Sequence, residues 1–150
     1  MPSRFRGTPT ETRALDAFVK LRRAVNTLSA RESAVMRSAG LTESQFGVME
    51  AVYHLGPLCQ REVADKILKS AANLTTVVDN LERRGLVERR RSPEDRRVAT
   101  VHLSAEGERL ISTLFPLHVA ALVEAFAVLT PVEQETLAAL CRRLGRQEKG

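Results

Sequence analysis

Cysteine is scarce in this chain. The two thiols, Cys59 and Cys141, lie far apart and do not make a disulfide framework. No uninterrupted apolar run reaches the ~18–20 residues that a membrane span needs. The opening MPSRFRGTPTETR lacks the apolar core of a signal peptide. These absences lead us to expect a cytoplasmic protein with no membrane partner. Internal repeats and low-complexity linkers are missing too. So are a Gly-rich phosphate loop, a Gly-x-Ser-x-Gly elbow, a His-Glu-x-x-His pair and zinc-deaminase spacing. Carboxylates are scattered over polar helix faces or used in caps, so an enzyme is not expected. His54, His102 and His118 show no His-x3-His or Cys-x2-Cys spacing, so neither a metal nor a cofactor is expected.

What remains is an ordinary globular composition, 43% hydrophobic and 27% charged over 150 residues. That length suits one domain with a real core, or one domain plus a dimerisation layer. The formal charge is +5, a bias toward anionic partners. It is unevenly spread. Residues 1–39 carry eight cations against three anions, and residues 60–103 carry ten against seven. The cations of the second stretch cluster where a phosphate backbone could meet them.

Helix punctuation is clear. Thr8-Pro9-Thr10-Glu11 offers a cap, a first-turn proline and a glutamate at the third position. The spacing of Leu15, Phe18, Leu21, Val25, Leu28 and Val35 predicts a long helix to about Ser38, ended by Gly40. Thr42-Glu43-Ser44-Gln45 is a capping box with Leu41 and Phe46 placed as a hydrophobic staple, and Gly56-Pro57 closes that helix. A short helix is predicted over about 60–68. Ser70 caps a fourth helix ending at Arg84 before Gly85. Leu86–Arg91 and Arg97–Leu103 are the strands of a hairpin whose Ala99, Val101 and Leu103 share one face. Ser104 opens an apolar helix to Leu129, with a bend expected near Pro116. Thr130-Pro131-Val132-Glu133 starts the last helix.

In the fourth helix Leu74, Val77, Val78 and Leu81 form a buried stripe at i, i+3, i+4, i+7. The other side presents Ala72, Asn73, Thr75, Thr76, Asp79 and Asn80, short groups able to meet base edges. Beside it stands a loop with Arg89, Arg90, Arg91, Arg96 and Arg97 around Ser92-Pro93-Glu94-Asp95. A helix read from one side, next to a cationic hairpin, suits double-stranded DNA. The fold class is therefore mainly α with a small β-hairpin wing: a winged helix-turn-helix over 42–103, flanked by terminal helices over 9–38 and 104–146. Leu110, Ile111, Leu114, Phe115, Leu117, Leu122, Val123, Phe126 and Val128 surround most of the fifth helix. A chain this short has no core to bury such a helix, which favours a homodimer.

The order of elements and these residues together resemble the MarR family of transcriptional regulators over nearly the whole chain, read as a single domain, 1–150. The most specific part is SPEDRRVATVHLSAEG, similar to the family's Asp-x-Arg pair, a strand ending in Leu-Ser/Thr and a Glu-Gly helix start. NLTTVVDNLERRGLVERR resembles its recognition helix and exit into the wing. The resemblance implies a homodimer on a pseudo-palindromic operator, often a repressor released by a ligand or by oxidation. Asn73 would contact adenine, or else satisfy the helix start. Ala72, Thr75 and Thr76 would meet thymine methyls, and Ser70 would divide between capping and a phosphate. Arg97 would enter the minor groove, with Asp95 either orienting it or serving only the turn. Arg84, Arg89, Arg91 and Arg96 are phosphate candidates. A winged helix used for protein contacts or architectural DNA binding is the rival reading.

Two sensing routes are open. Cys59, in GPLCQREVADK before the third helix, is either a thiol activated at a helix start or a small packed cap. This stretch, with LFPLHVAALVEAF and LCRRLG, resembles a subgroup that includes quinone-responsive members. The best-known thiol-switch members carry their reactive cysteine in the first helix, where this chain has none. Cys141 reads as dimer-core packing. The second route is the family's site for small aromatic ligands, for which Phe18, Arg22, Phe46, Met49, Tyr53, Phe115 and His118 are lining candidates, each also an ordinary core position.

Overall fold

The computed structural model describes residues 4–67 and 71–146, the side chains of Ala71 and Ala72 excepted. It begins with α1, Pro9–Ser38. The Thr8 hydroxyl accepts from the Glu11 N–H at 3.3 Å, and the Glu11 carboxylate returns to the Thr8 N–H at 2.7 Å. The helix ends through Gly40, whose φ of 67° lets the Leu41 N–H reach back to the Met36 carbonyl at 3.0 Å. Leu41 and Phe46, the staple pair, are both buried. Helix α2, Glu43–Leu55, starts on the full Thr42/Gln45 capping box and stops at Gly56 with φ 80°.

The chain then pairs before it coils. Leu58–Cys59 forms β1, a strand absent from the sequence reading, followed at once by α3, Gln60–Ile67. Helix α4 covers Ala71–Arg83 and turns at Gly85. The wing strands are β2, Val87–Arg91, and β3, Ala99–Leu103. Each is shorter than expected, by Leu86 and by Arg97 and Val98. The wing is a three-stranded antiparallel sheet in the order β1-β3-β2, not a two-stranded ribbon. Leu58 faces Val101 and Cys59 faces Thr100. On the other edge Val87 faces Leu103, Arg89 faces Val101 and Arg91 faces Ala99.

Ser104 caps α5, Ala105–Phe126: its hydroxyl accepts from the Gly107 N–H at 3.0 Å and donates to the Gly85 carbonyl at 2.6 Å. The helix runs on through Pro116 and stops three residues before the predicted Leu129. An 18-residue window of it reaches a mean hydropathy of 1.4, enough by length and composition to cross a bilayer, with 17% of the window buried within the chain. That is more apolar than a search for unbroken runs suggests. Helix α6, Pro131–Gly145, starts on a second full capping box, Thr130 with Glu133.

Two compact units divide the chain. Residues Glu32–Val119 form one, with a core that includes Phe46, Met49, Leu74, Val78, Leu81, Val101 and Ile111, each at most 1% exposed. The other takes in the chain up to Arg31 and from Ala120 onward. Its apolar side chains stand open: Val123 is 65% exposed and Val128 87%, with Phe18, Val25, Leu140 and Leu144 also exposed.

Candidate nucleic-acid interface and ligand cavity

The α4 stripe is buried as its periodicity requires. Leu74, Val78 and Leu81 are fully buried and Val77 is half-buried, which leaves Asn73, Thr75, Thr76 and Asp79 on the exposed side. Ser70, the expected cap, lies outside the described residues, as does the side chain of Ala72.

The arginines divide by what their geometry offers them. Arg89 is 23% exposed and is consumed internally. Its Nη1 meets Asp79 at 2.6 Å and Glu82 at 3.3 Å, its Nε donates to Gln60 at 2.8 Å, and its Nη2 donates to the Thr75 carbonyl at 3.2 Å. Gln60 completes the set by donating to the Thr75 hydroxyl at 3.2 Å. One guanidinium thus ties β2, α3 and α4 together, using the fork that lysine lacks. Arg84 donates to the Gly40 carbonyl at 2.8 Å and the Ala39 carbonyl at 3.4 Å, covering acceptors left open where α1 ends. Arg91 donates across the wing turn to the Arg96 carbonyl at 3.0 Å, and Arg90 pairs with Glu88.

Arg97 is different. Its side chain is 92% exposed, and Asp95 Oδ1 accepts from its backbone N–H at 3.0 Å and its Nε at 3.3 Å. The turn is closed by Ser92 N–H to the Val98 carbonyl at 2.8 Å and Val98 N–H to the Asp95 carbonyl at 3.0 Å. Asp95 therefore serves both the turn and the arginine. Arg96 is also exposed.

Between α2, α3 and the adjoining parts of α1 and α5, the Glu32–Val119 unit holds a cavity of about 470 Å³. Of the expected lining residues, Phe46 and His118 border it. Tyr53 and Phe115 belong to the adjoining ring cluster: His118 stacks on Phe46 at 5.0 Å and on Phe115 at 5.7 Å, and Tyr53 lies 6.2 Å from Phe115. Met49 is spent in the core, and Phe18 and Arg22 belong to the other unit. Sequence reasoning missed the charged lining, Glu32, Glu43, Glu50 and Lys66. Glu32 stands four residues before the buried Met36, on the same helix face, and a carboxylate on a buried stripe was the available signal. Burial raises the Glu32 pKa, the nearby His118 opposes that, and Glu43 and Glu50 push it further up.

Cys59 is half-buried in β1. Its N–H donates to Glu62 at 2.8 Å, and that bond, with a further one from its side chain, holds the Glu62 carboxyl below the ordinary carboxylate range. The Cys59 side chain is thus bonded to an anion and not to a cation.

Comparison with known proteins agrees with this geometry. Residues 41–99 match the model of the MarR family. The HTH-type transcriptional regulator MhqR of Bacillus subtilis is 33% identical over 137 residues, covering 91% of this chain and 94% of that protein. Among solved structures, Bordetella bronchiseptica BpsR, whose DNA binding is regulated by 6-hydroxynicotinic acid, superposes with a TM-score of 0.79 at 25% identity. That match covers 87% of this chain and 98% of BpsR. The MarR family regulator Sco3205 of Streptomyces coelicolor, solved in complex with DNA, gives a TM-score of 0.81 at 24% identity, covering 97% and 91%.

Proposed function

The chain belongs to the MarR family and is a DNA-binding transcriptional regulator, and we propose that it acts as a homodimeric repressor on a pseudo-palindromic operator and releases it when a small ligand fills the cavity. The observation that carries this is Arg97, a freely exposed guanidinium held by Asp95 at the tip of a wing that Arg89 fastens to α4. That arrangement suits a cation entering the minor groove while the exposed side of α4 meets base edges in the major groove. Thr76 and Asn73 then carry sequence preference, and Arg96 and Arg97 carry affinity. The open apolar side chains of the other unit, Val123 and Val128 among them, favour a second copy of the chain as their cover.

We assign release to the cavity and not to Cys59, because the Cys59 side chain is half-buried and already bonded to Glu62. BpsR, at 25% identity, is a neighbour whose DNA binding answers to a small molecule.

The test is anisotropy titration of the purified protein on its own upstream intergenic DNA, with sedimentation for oligomeric state. Arg97→Ala should weaken specific binding by roughly tenfold or more, about 1–3 kcal/mol, with an unchanged melting temperature. Thr76→Ala should erode preference more than affinity. Equal binding to all duplexes, unaffected by Thr76→Ala, would instead mark an architectural DNA binder. A monomer without a preferred site would refute the proposal.

A further inference from the structure

We propose that Arg83, the last residue of α4, is a phosphate contact of the DNA-bound protein, in place of its neighbour Arg84. This rests on reading α4 as the helix that lies in the major groove. Two independent observations carry it, the phase of the helix and the engagement of the other arginines.

Arg83 stands seven residues after Thr76 and four after Asp79, and seven residues fall about 20° short of two full turns. It therefore continues the line of Thr76 and Asp79, and it is exposed as they are. Arg84 stands seven residues after the half-buried Val77 and three after the fully buried Leu81, so it follows the inner stripe instead. There it reaches the Gly40 and Ala39 carbonyls at 2.8 and 3.4 Å. One residue of phase separates the arginine turned out from the arginine turned in.

Of the arginines at 83, 84, 89, 90 and 91, four hold acceptors of the protein itself. Arg83 has no hydrogen bond or ion pair among the described residues. Its natural local partner is Asp79, one turn back at i−4. Arg89 Nη1 takes that carboxylate at 2.6 Å and Glu82 at 3.3 Å, and all four side chains line one open groove. Arg89 thereby keeps Arg83 from being neutralised, which leaves an outward cation for an anion from outside the chain.

Position along the helix selects a phosphate over a base. The N-terminal half of such a helix meets base edges, and Arg83 lies about 10 Å farther along the axis than Thr76. The groove is only about 12 Å wide, so a side chain that far along has reached its phosphate wall. A guanidinium bonds a phosphate there through two parallel N–H groups.

The experiment is anisotropy titration of the full-length protein on its own upstream intergenic duplex and on a scrambled duplex, from about 50 to 200 mM salt. Arg83→Gln should lower the salt slope of log affinity by about 0.9 for each subunit bound. It should weaken both duplexes alike, about tenfold, with an unchanged melting temperature. Arg83→Lys, which keeps the charge, should restore most of the slope. Arg84→Gln should melt lower and keep the parent slope. An unchanged slope in Arg83→Gln, or an equal fall in Arg84→Gln, would overturn the proposal. So would a loss confined to the intergenic duplex, which would mark Arg83 as a base reader. A parent that binds neither duplex would remove the DNA reading of α4 and this contact with it. A parent that binds, beside an Arg83→Gln that binds equally, would remove the contact alone.

Discussion

Arg89→Ala separates the arginine that builds the site from the arginine that uses it. The side chain makes four polar contacts to two elements, α3 and α4, two of them short, at 2.6 Å to Asp79 and 2.8 Å to Gln60. Asp79 and Glu82 are nearly half exposed, so the ion pairs are discounted for solvent, to at most about 1 kcal/mol together. The bonds to Gln60 and the Thr75 carbonyl contribute about 0.5–1 kcal/mol each. Truncation also leaves two carboxylates one turn apart without their shared cation. The expected loss is about 2 kcal/mol, or about 4–8 °C in melting temperature for a chain of this size. Arg89→Lys should recover less than half, since one ammonium cannot replace a fork that bonds in three directions. Arg97→Ala, on a side chain 92% exposed, should leave the melting temperature within about 1 °C while weakening DNA binding. Urea melts of the three variants, followed by far-ultraviolet circular dichroism, decide the matter. Equal stability of Arg89→Ala and parent, or equal losses from Arg89→Ala and Arg97→Ala, would refute the assignment.

Gly107→Ala should be severe, because the added Cβ would fall on the Leu86 carbonyl oxygen and press on the Leu103 side chain. We expect a loss of at least about 3 kcal/mol, read from the same urea melts, and parent-like stability would contradict the packing of α5 on the wing. Glu32→Gln should gain stability at pH 7. A carboxyl whose pKa is raised on folding binds protons more tightly in the native state. Native stability therefore falls as pH climbs from the ordinary value of 4.5 through the raised one. The gap between variant and parent should close as pH drops below 4.5, and a gap that widens there would have the wrong sign. Helix α3 has Lys66 and Ile67 at the cavity and Gln60 in the Arg89 hub. Gln60→Ala should accordingly shrink the ligand's effect on operator affinity, measured as a coupling free energy by a double-mutant cycle. Unchanged coupling would remove α3 from the route.

The elements legible in the sequence were those whose causes lie within about four residues. Thr8 with Glu11, Thr42 with Gln45 and Thr130 with Glu133 are each a cap and its answering side chain, and all three start helices where expected. Strand β1 was not legible, because two residues pair only when β3, some forty positions later, is brought beside them. Arg84 was not either: its partners, the carbonyls of Ala39 and Gly40, are set by how α4 lies against the end of α1. The wing arginines show the missing quantity most directly. Strand alternation puts Arg89 and Arg91 on one face and Arg90 on the other, and no local signal says which face is inner. That choice comes from register. Arg89 stands opposite the fully buried Val101, and the turn bonds from Ser92 to Val98 and from Val98 to Asp95 hold it there. A slip of one residue would place Arg90 over Val101 and turn Arg89 outward. The arginine that binds α3 and α4 together would then be a surface cation, and α4 would lose its tie to the wing. The division of labour between Arg89 and Arg97 is thus a property of turn length, which fixes the register, and the arginine-rich composition leaves it undetermined.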